Sequence, residues 1–347
     1  MKSEGNSIDA LVFGDPHLQG KYIQVVDQFI EQSVEVVKSQ TPNFVVVLGD
    51  TLHHHERARE SCHSRAVKWF QEMSKHTHVY VLIGNHDRPN NSEYLTDKHF
   101  FNGLKGHRNI EIVDTVQSIH VEMSGKRYRF VFVPYVPPGR FQDALDTLDV
   151  SIEDEPPKAI FAHQEFKGAK MGAIESEHGD EWSDDKPFVI SGHIHEYQTV
   201  GKKIMYVGTP YQTTYAEGTN KGIFLFNFGT SKDNAKRIRL NLRVKKKITV
   251  DASEFVNLDA ENIKNSDIDL RVDINGKKEE LEAVKKSKNY RELKLVNHVK
   301  LVLRPIFELK TTESRVEKVS YMKLFYSKLE NDDDMKALYS ELLRDIQ

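Results

Sequence analysis

The sequence has 347 residues, of which 38% are hydrophobic and 29% are charged, and its formal net charge is −3. A chain of this length accommodates one large domain and a smaller one, and its charge excludes a globally basic nucleic-acid coat, although a local basic track is still allowed. Cys62 is the single cysteine, which excludes an intrachain disulfide. With no signal-peptide-like run and no apolar segment of the roughly 18 residues that span a membrane, we expect a cytoplasmic protein.

The N-terminal quarter of the chain alternates apolar runs with amphipathic segments. Strands are predicted at 8–15, 43–50 and 78–87, and helices at 21–40 and 56–76. This βαβαβ order predicts a parallel sheet with right-handed crossovers. A third helix is predicted at 92–104, with Ser92 as its N-cap.

After residue 104 the pattern becomes richer in short apolar runs. Strands are predicted at 109–114, 117–123, 127–134, 158–163, 187–193, 203–208 and 222–228. We therefore expect an α/β fold in which two mixed β-sheets pack face to face and are flanked by helices.

From about residue 231 the character changes again, towards a smaller unit. The segment 236–250 alternates cations with apolar residues and predicts one half-exposed strand, and a strand, a helix and a strand are predicted at 267–274, 277–290 and 298–307. Two amphipathic helices are predicted at 317–329 and 333–346. The predicted organisation is a main domain over 1–245, a small α+β capping domain over 246–312 and a C-terminal helical pair over 313–347.

Histidines, carboxylates and an amide follow five of the predicted strands. Because the carboxyl ends of parallel strands share one edge of a sheet, these side chains are expected to converge. One histidine after a strand is more often a turn or capping residue, but five such strand ends together indicate a pair of divalent ions, which can polarise a phosphoryl group. Mixed oxygen and imidazole ligands favour Mn²⁺, Fe²⁺ or Zn²⁺ over Mg²⁺ or Ca²⁺. The residues are Asp15, His17, Asp50, His53, His54, His55, Asn85, His86, Asp87, His163, His193 and His195.

The order of these motifs resembles a known superfamily. D-x-H, GD, GNHD, a single histidine after a strand and GHxH, over roughly residues 8–230, resemble the calcineurin-like metallophosphoesterases. Within that superfamily, "GDPHL", "GDTLHH", "GNHD", "SGHIHEYQ" and "YVGTPYQ" are similar to the SbcD-type DNA-repair nuclease, and most of all to its bacteriophage recombination branch. Protein phosphatases of the superfamily usually carry an arginine-bearing GD motif and GNHE, which this chain lacks.

The resemblance implies a role for each site residue. Two divalent ions are implied, Mn²⁺ being favoured and Mg²⁺ allowed, with Asp50 bridging them. One ion would be held by Asp15, His17, Asp50 and His195. The other would be held by Asp50, Asn85, His163 and His193. The catalytic residues would be His86, which faces the scissile phosphate, Asp87, which orients it, and His53, which contacts the phosphate.

The same resemblance implies an activity and partners. It implies 3′→5′ exonuclease activity on duplex DNA and endonuclease activity on single strands, within an ATP-driven repair complex. An SbcC-type ABC ATPase would dock on the C-terminal helices, since the chain has no phosphate-binding G-x-x-x-x-G-K-[ST] loop of its own. A homodimer would form through helices 56–76 and 92–104, with Trp69, Phe70, Phe100 and Phe101 as anchors. A phage-encoded chain would act in the bacterial host cytoplasm.

Several alternatives stay open at the level of sequence. The chain could be a small-molecule phosphodiesterase or phosphatase, or a DNA-binding scaffold whose catalysis is vestigial. The terminal helices could instead pack on the core, and the aromatic anchors could be buried in the monomer. Glu165, Lys167 and Lys170 in the loop 163–182 could touch substrate or be structural. DNA could be held by a cationic stretch, whose alternative is a solvated strand face: Lys232, Lys236, Arg237, Arg239, Arg243, Lys245, Lys246 and Lys247.

Overall fold

The computed structural model describes residues 2–3, 7–55, 59–229 and 233–306. The first strands are β1 (Lys2–Ser3), β2 (Ser7–Phe13), β3 (Phe44–Val47), β4 (His78–Leu82), β5 (Ile110–Val113), β6 (Gln117–Met123), β7 (Lys126–Val133) and β8 (Ala159–His163). They are followed by β9 (Lys170–Met171), β10 (Ile174–Glu175), β11 (Val189–Gly192), β12 (Gln198–Val200), β13 (Ile204–Tyr206), β14 (Ile223–Gly229) and β15 (Asp233–Ile238). The helices among them are α1 (Ile23–Gln40), α2 (Glu60–Ser74) and α3 (Phe141–Leu145).

One sheet has six strands in the order β15-β14-β2-β3-β4-β5. Strands β2 to β5 are parallel, and β14 pairs antiparallel with both β2 and β15. Helices α1 and α2 connect β2 to β3 and β3 to β4, which confirms the predicted βαβαβ order. Phe13, Phe29 and Trp69 form a T-shaped aromatic cluster between this sheet and its helices.

The second sheet has seven strands in the order β1-β6-β7-β8-β11-β13-β12. Strands β7, β8, β11 and β13 are parallel, β6 pairs antiparallel with β7 but parallel with β1, and β12 pairs antiparallel with β13. Both sheets are therefore mixed, and the predicted fold class is confirmed. The carboxyl ends of β8 and β11 lie beside those of β2, β3 and β4, because residues that follow these strands contact one another directly.

The interior between the two sheets is rich in aromatic rings. Phe44 of β3 is fully buried, and its ring lies 5.4 Å from that of Phe130 and 5.9 Å from those of Tyr80 and Phe161. Alternate residues of β2 and β3 point the other way, towards α1 and α2, as the two-residue period of a strand requires. The main domain thus has one core between the sheets, a second between the first sheet and its helices, and a third on the outer face of the second sheet, around Phe141.

Phe44→Ala is expected to lower the free energy of unfolding by about 3–5 kcal/mol, because it removes ring contacts and leaves a cavity that rigid neighbours cannot fill. Chemical denaturation followed by circular dichroism measures the change. Ile174→Ala, at a side chain that is 68% exposed, is the control and should change stability by no more than about 0.5 kcal/mol. Equal effects at the two positions would contradict the packing described here.

The helix predicted at 92–104 is wrong. This segment consists of turns, with one 3₁₀ turn at Asn102–Leu104. The Asn90 side chain accepts from the backbone and hydroxyl of Ser92, and these local bonds compete with helix formation. The imidazole of His99 is fully buried against the Asp114 carboxylate at 3.1 Å, so tertiary contacts fix the segment in its irregular path.

The strand predicted at 236–250 is in fact two strands in different sheets. Strand β15 ends at Ile238, and β16 (Val244–Asp251) begins a separate three-stranded sheet. Between them the Asn241 backbone N–H donates to the Gln32 side chain of α1 at 2.7 Å, which turns the chain away from the first sheet. The alternation of cations and apolar residues continues through both β15 and β16, because each strand is half-exposed.

The small module is a parallel sheet in the order β16, β17 (Ile268–Gly276) and β18 (Val299–Pro305). Its helices are α4 (Ala252–Phe255), α5 (Ala260–Lys264), α6 (Lys278–Lys286) and α7 (Lys288–Leu293). The single helix predicted at 277–290 is therefore two. Ser287 has extended backbone angles between them, and its hydroxyl accepts from the Tyr290 N–H as the N-cap of α7. The predicted helical pair at 313–347 lies outside the described residues.

A buried lysine, Lys245, ties the small module to the main domain. The Lys245 ammonium donates to the Gln212 carbonyl at 2.7 Å, and the Lys245 backbone N–H donates to the Gln212 side chain at 2.7 Å. Lys245 also lies 4.4 Å from the centroid of the Tyr22 ring. Its charge is therefore satisfied inside the protein, so this member of the predicted cationic stretch does not face solvent.

The predicted dimer anchors are mostly part of the monomer core. Trp69, Phe70 and Phe101 are 1% exposed or less, and Phe100 is partly buried against the same cluster. Burial in the monomer, the alternative left open by the sequence, is therefore correct for these side chains. Dimerisation itself stays a prediction.

Candidate metal centre

The predicted site residues lie at one edge shared by the two sheets. Each follows or ends a strand whose carboxyl end reaches that edge. Asp15 and His17 follow β2, Asp50 follows β3, Asn85 follows β4, His163 ends β8, and His193 and His195 follow β11. The structure thus brings together all seven predicted ligands.

Asp50 is buried at the centre of the group and faces two sets of neighbours. Its Oδ2 lies 3.6 Å from Nε2 of His17 and 4.0 Å from Nε2 of His86. Its Oδ1 lies 3.4 Å from Nε2 of His163 and accepts from the backbone N–H of His86 at 2.8 Å. The two carboxylate oxygens therefore point in the two directions that a bridging ligand requires.

On one side of Asp50, ligand-type nitrogen and oxygen atoms lie close together. Nε2 of His17 and Nε2 of His195 are 2.9 Å apart. Oδ2 of Asp15 is buried and accepts no hydrogen bond from any described residue, while its Oδ1 accepts from the His193 backbone N–H at 3.0 Å. A buried carboxylate oxygen without a donor is costly unless a cation neutralises it.

On the other side of Asp50 lies a second close set of ligand-type atoms. Oδ1 of Asn85 is 3.1 Å from Nε2 of His163 and 3.2 Å from Nδ1 of His193. The ligand atoms of Asp50, His163 and His193 all lie within 4.8 Å of one another. His163 donates its other nitrogen to the Leu48 carbonyl at 2.8 Å, which fixes its ring orientation.

The backbone of the site is held in unusual conformations. His17, Asp50 and His193 have positive φ angles of 44°, 47° and 77°, which non-glycine residues adopt at a cost of about 1–3 kcal/mol. Two glycines permit close approach of the loops: a Cβ at Gly84 would overlap Oδ1 of Asp50, and a Cβ at Gly192 would lie 2.5 Å from Oδ1 of Asp15. The glycines of the GNHD and GHIH motifs are therefore explained by packing against the carboxylates.

The electrostatics of the pocket differ from residue to residue: burial lowers the pKa of His17 well below its usual range, whereas the pKa of His163 is raised. Burial alone would lower the pKa of His163, but the carboxylates of Asp50 and Asp15 outweigh it and raise that pKa to about 9. Burial would raise the pKa of Asp50, but the imidazoles of His163, His17 and His86 hold it well below its usual range. For Asp15, burial prevails and raises the pKa. A pocket with this field and an oxygen–imidazole donor set fits divalent ions of the Mn²⁺, Fe²⁺ or Zn²⁺ type.

His86 lies beside this centre and is partly open to solvent. Its Nδ1 lies 2.9 Å from the carbonyl oxygen of His53, and because a carbonyl can only accept, Nδ1 carries a proton. Its side chain is 30% exposed, and its Nε2 faces Asp50. The His53 ring stacks 6.2 Å from that of His86, and burial with the neighbouring His54 and His86 lowers the pKa of His53 to about 4. His54 is exposed, and the ring of His55 stacks on His86 at 4.3 Å.

Asp87 does not contact the imidazole that it was predicted to orient. Its carboxylate accepts from the backbone N–H groups of Thr51, Leu52 and Gly84, at 3.1–3.3 Å. The prediction is therefore wrong for this residue, and the His53 carbonyl orients His86 instead. Burial and the charge of Asp50 raise the pKa of Asp87 to about 7. Asp87 ties the loop that carries Asp50 to the loop that carries His86.

Two carboxylates near the site were not predicted as supporting groups. Oε1 of Glu217 lies 3.7 Å from Nδ1 of His195, and Oε2 of Glu165 lies 3.8 Å from Nε2 of His193. Glu165 was expected only as a substrate contact or a structural residue. Glu217 comes five residues after "YVGTPYQ", in the loop that follows β13. Its position after a strand that ends at the same edge is the sequence feature that could have indicated a supporting role.

The predicted substrate loop and cationic stretch are largely paired within the protein. Lys167 donates to Glu181 at 2.6 Å, and Lys170 lies in the exposed hairpin of β9 and β10. Arg237 lies 4.3 Å from the centroid of the Tyr197 ring, and Lys247 lies 3.4 Å from Asp273. Further members of the stretch are Lys236, Lys246 and Arg239, which are exposed, and Arg243, which is partly buried. Lys232 lies outside the described residues.

Comparison with known proteins gives consistent matches. The family profile described as Calcineurin-like phosphoesterase matches residues 8–197. "Putative phosphoesterase 244L" of Invertebrate iridescent virus 6 is 38% identical over 283 residues, covering 80% of this chain and 97% of that protein. "Putative phosphoesterase 078R" of Invertebrate iridescent virus 3 is 33% identical over 347 residues, covering 97% of each. These relatives come from viruses of invertebrates, so the predicted bacteriophage origin stays a prediction.

Among solved structures, GAP50, the anchor in the inner membrane complex of Plasmodium, is 12% identical with a TM-score of 0.46. The match covers 68% of this chain and 86% of that one, and the likeness is too slight to support an inference. Within the described part of the chain, no helix has the length and apolarity needed to cross a membrane.

Proposed function

Because the chain belongs to the calcineurin-like phosphoesterase family, whose members hydrolyse phosphate esters with divalent metal ions, we propose that it is a dinuclear metal-dependent DNA nuclease. The proposed reaction is phosphodiester hydrolysis, as a 3′→5′ exonuclease on duplex DNA and an endonuclease on single strands. Its proposed place is the nuclease subunit of an SbcC–SbcD-like repair complex.

The observation that carries the proposal is the position of Asp50 between two sets of ligand-type atoms, with His86 beside it. Asp15, His17 and His195 would hold one ion with Asp50. Asn85, His163 and His193 would hold the other. When bound, such a pair of ions polarises the phosphoryl group and supplies the nucleophile. Mn²⁺ is the proposed ion, because mixed oxygen and imidazole ligands suit it better than Mg²⁺.

His86 would serve the leaving group. With Nδ1 donating to the His53 carbonyl, only Nε2 can exchange a proton with substrate, and Nε2 faces the centre from its solvent-exposed side. A protonated Nε2 would donate to the departing 3′-oxygen, and its charge would stabilise the negative charge that develops there. His53, whose ring stacks near that of His86, would contact the adjacent phosphate oxygens.

The charge of the site's open face favours a diester over a terminal phosphate. The groups there include the imidazoles of His86 and His195, with side chains 30% and 39% exposed. Each imidazole carries at most one positive charge, whereas a terminal phosphate carries close to two negative charges and is usually clamped by guanidinium groups. Arg88, the arginine next to the GNHD motif, is fully buried and donates to the carbonyls of Glu93 and Tyr135. A phosphodiester, with a single negative charge, suits this face better.

Two further features support DNA as the diester. The motifs "GDPHL", "SGHIHEYQ" and "YVGTPYQ" resemble those of SbcD-type nucleases, and a separate small module follows the main domain, as a cap does there. Exposed cations such as Lys236 and Lys246 provide local attraction for a polyanion. The ATPase partner and the homodimer are proposals that come from the resemblance alone.

The purified full chain with Mn²⁺ is expected to shorten duplex DNA from its 3′ ends and to cut circular single strands. We expect kcat/KM for DNA to exceed that for p-nitrophenyl phosphate or a cyclic nucleotide by at least about 100-fold, because the site is built for an extended diester. Gel analysis of end-labelled DNA, beside colorimetric assays of the small esters, measures the ratio.

Asp50→Asn, prepared in parallel, is the control that excludes a contaminating nuclease. Preferred hydrolysis of the small esters would replace the nuclease proposal with the small-molecule alternative. Binding of DNA without any hydrolysis would favour the scaffold.

A further inference from the structure

Glu217 occupies a position behind one of the proposed metal ligands. Its Oε1 lies 3.7 Å from Nδ1 of His195, while Nε2 on the opposite side of the same ring faces His17 at 2.9 Å. The Glu217 side chain is only 9% exposed, whereas that of His195 is 39% exposed. The buried carboxylate of Glu217 therefore lies beside Nδ1 of His195, the ring nitrogen that would not bind the ion.

The Glu217 carboxylate is itself firmly held. One oxygen accepts from the hydroxyl of Thr213, and the other accepts from the Thr213 backbone N–H at 3.0 Å. The Lys221 ammonium lies 3.2 Å from Oε2 of Glu217 and donates to the His195 carbonyl at 2.7 Å. Side chain and backbone of His195 are thus fixed by one buried ion pair.

We propose that Glu217 is a positioning residue that holds His195 as the tautomer with its proton on Nδ1, so that the Nε2 lone pair faces the metal centre. An imidazole ligand commonly donates its second N–H to a carboxylate, which fixes the ring and increases its basicity. Without that partner, His195 can rotate its ring or place its proton on Nε2. The inference rests on the proposed function, since it assumes that His195 binds an ion.

Glu217→Gln tests the role with little change in shape. The amide of glutamine can donate to Nδ1 of His195, which would favour the tautomer with the proton on Nε2 and disable the ligand atom. Titration calorimetry with Mn²⁺ is expected to show one of two binding constants reduced by about 10–100-fold and the other unchanged. Electron paramagnetic resonance at matched loading should show the coupled Mn²⁺ pair of the wild type replaced by a single-ion signal.

Glu196→Gln is the matched control. Glu196 is adjacent to His195 in the chain and lies 3.1 Å from the Lys221 ammonium, so this variant removes the same charge from the same network without touching the imidazole. It should bind both ions as the wild type does. An equal loss of Mn²⁺ affinity in both variants would overturn the proposal, because any nearby negative charge would then have the same effect. Two wild-type binding constants in Glu217→Gln would also overturn it.

A measurement on the wild-type protein keeps the test decisive if Glu217→Gln fails to fold. Long-range ¹H–¹⁵N spectra of the Zn²⁺-loaded, histidine-labelled wild type report which ring nitrogen of each imidazole is protonated. We expect a proton on Nδ1 of His195, and a proton on Nε2 would overturn the inference. If the wild type bound no divalent ion in calorimetry, both the metal centre of the proposed function and this inference would fail. If the wild type bound two ions and Glu217→Gln bound them equally well, only the inference would be refuted.

Discussion

Asp50→Asn is expected to lose both divalent ions and to reduce DNA hydrolysis by more than about 10⁴-fold, the largest effect of any single substitution at the site. The Asp50 carboxylate faces His17 with one oxygen and His163 with the other, so neutralising it weakens both halves of the centre. The loss should exceed the contribution of any one acid–base or electrostatic group, which is about 10²–10⁴-fold. Elemental analysis after dialysis and single-turnover hydrolysis measure the two losses.

Asparagine is the appropriate replacement because φ at this residue is +47°, a conformation that asparagine tolerates better than alanine. Its amide also keeps an oxygen that can accept from the His86 backbone N–H. Asp114→Asn is the control: Asp114 is a buried carboxylate paired with His99 and Lys105, away from the centre. Retention of two ions by Asp50→Asn, or an equal loss of ions in Asp114→Asn, would exclude the bridging role.

His86→Ala is expected to keep both ions and yet lower kcat by about 10²–10⁴-fold, the usual contribution of a general acid. The imidazole is fixed through the His53 carbonyl, and its Nε2 lies 4.0 Å from Asp50, outside the two sets of ligand-type atoms. Steady-state kinetics beside elemental analysis separates catalysis from metal binding. KM should change much less than kcat, because the lost interaction is made in the transition state.

His54→Ala is the matched control for that variant. His54 belongs to the same loop and is exposed, and its ring lies 4.7 Å from that of His53 without reaching the centre. Its kcat should stay within about threefold of the wild type, as expected for a surface substitution. Loss of an ion from His86→Ala would make His86 a ligand and would remove the proton-donor role.

The sequence predicts that the seven candidate ligands converge, because the rule that places them is simple. Apolar runs of strand length end at Asp15, Asp50 and Asn85, and parallel strands must deliver such residues to one edge. The rule needs no knowledge of loop paths. His163 and His193 come from the second sheet, and they reach the same edge because its strands β8 and β11 also end there.

The supporting residues were harder to predict because they depend on the paths of irregular loops. Glu217 and Glu165 lie in such loops, and only the folded chain shows which histidine each one faces. The failed helix at 92–104 has a similar origin: Tyr94 packs in one hydrophobic cluster and Phe101 in another, which no local rule anticipates. The break at Ser287 could have been predicted, since serine is a strong N-cap residue.

The joint at Lys245 has a mechanical consequence. Gln212 receives the Lys245 ammonium on its carbonyl, and its side-chain amide donates to the Glu217 carbonyl at 2.8 Å. Hydrogen bonds through Gln212 therefore connect the first strand of the small sheet to the backbone of Glu217, whose side chain lies beside His195. A displacement of the small sheet that kept these bonds would move the Glu217 loop, and with it the carboxylate beside His195.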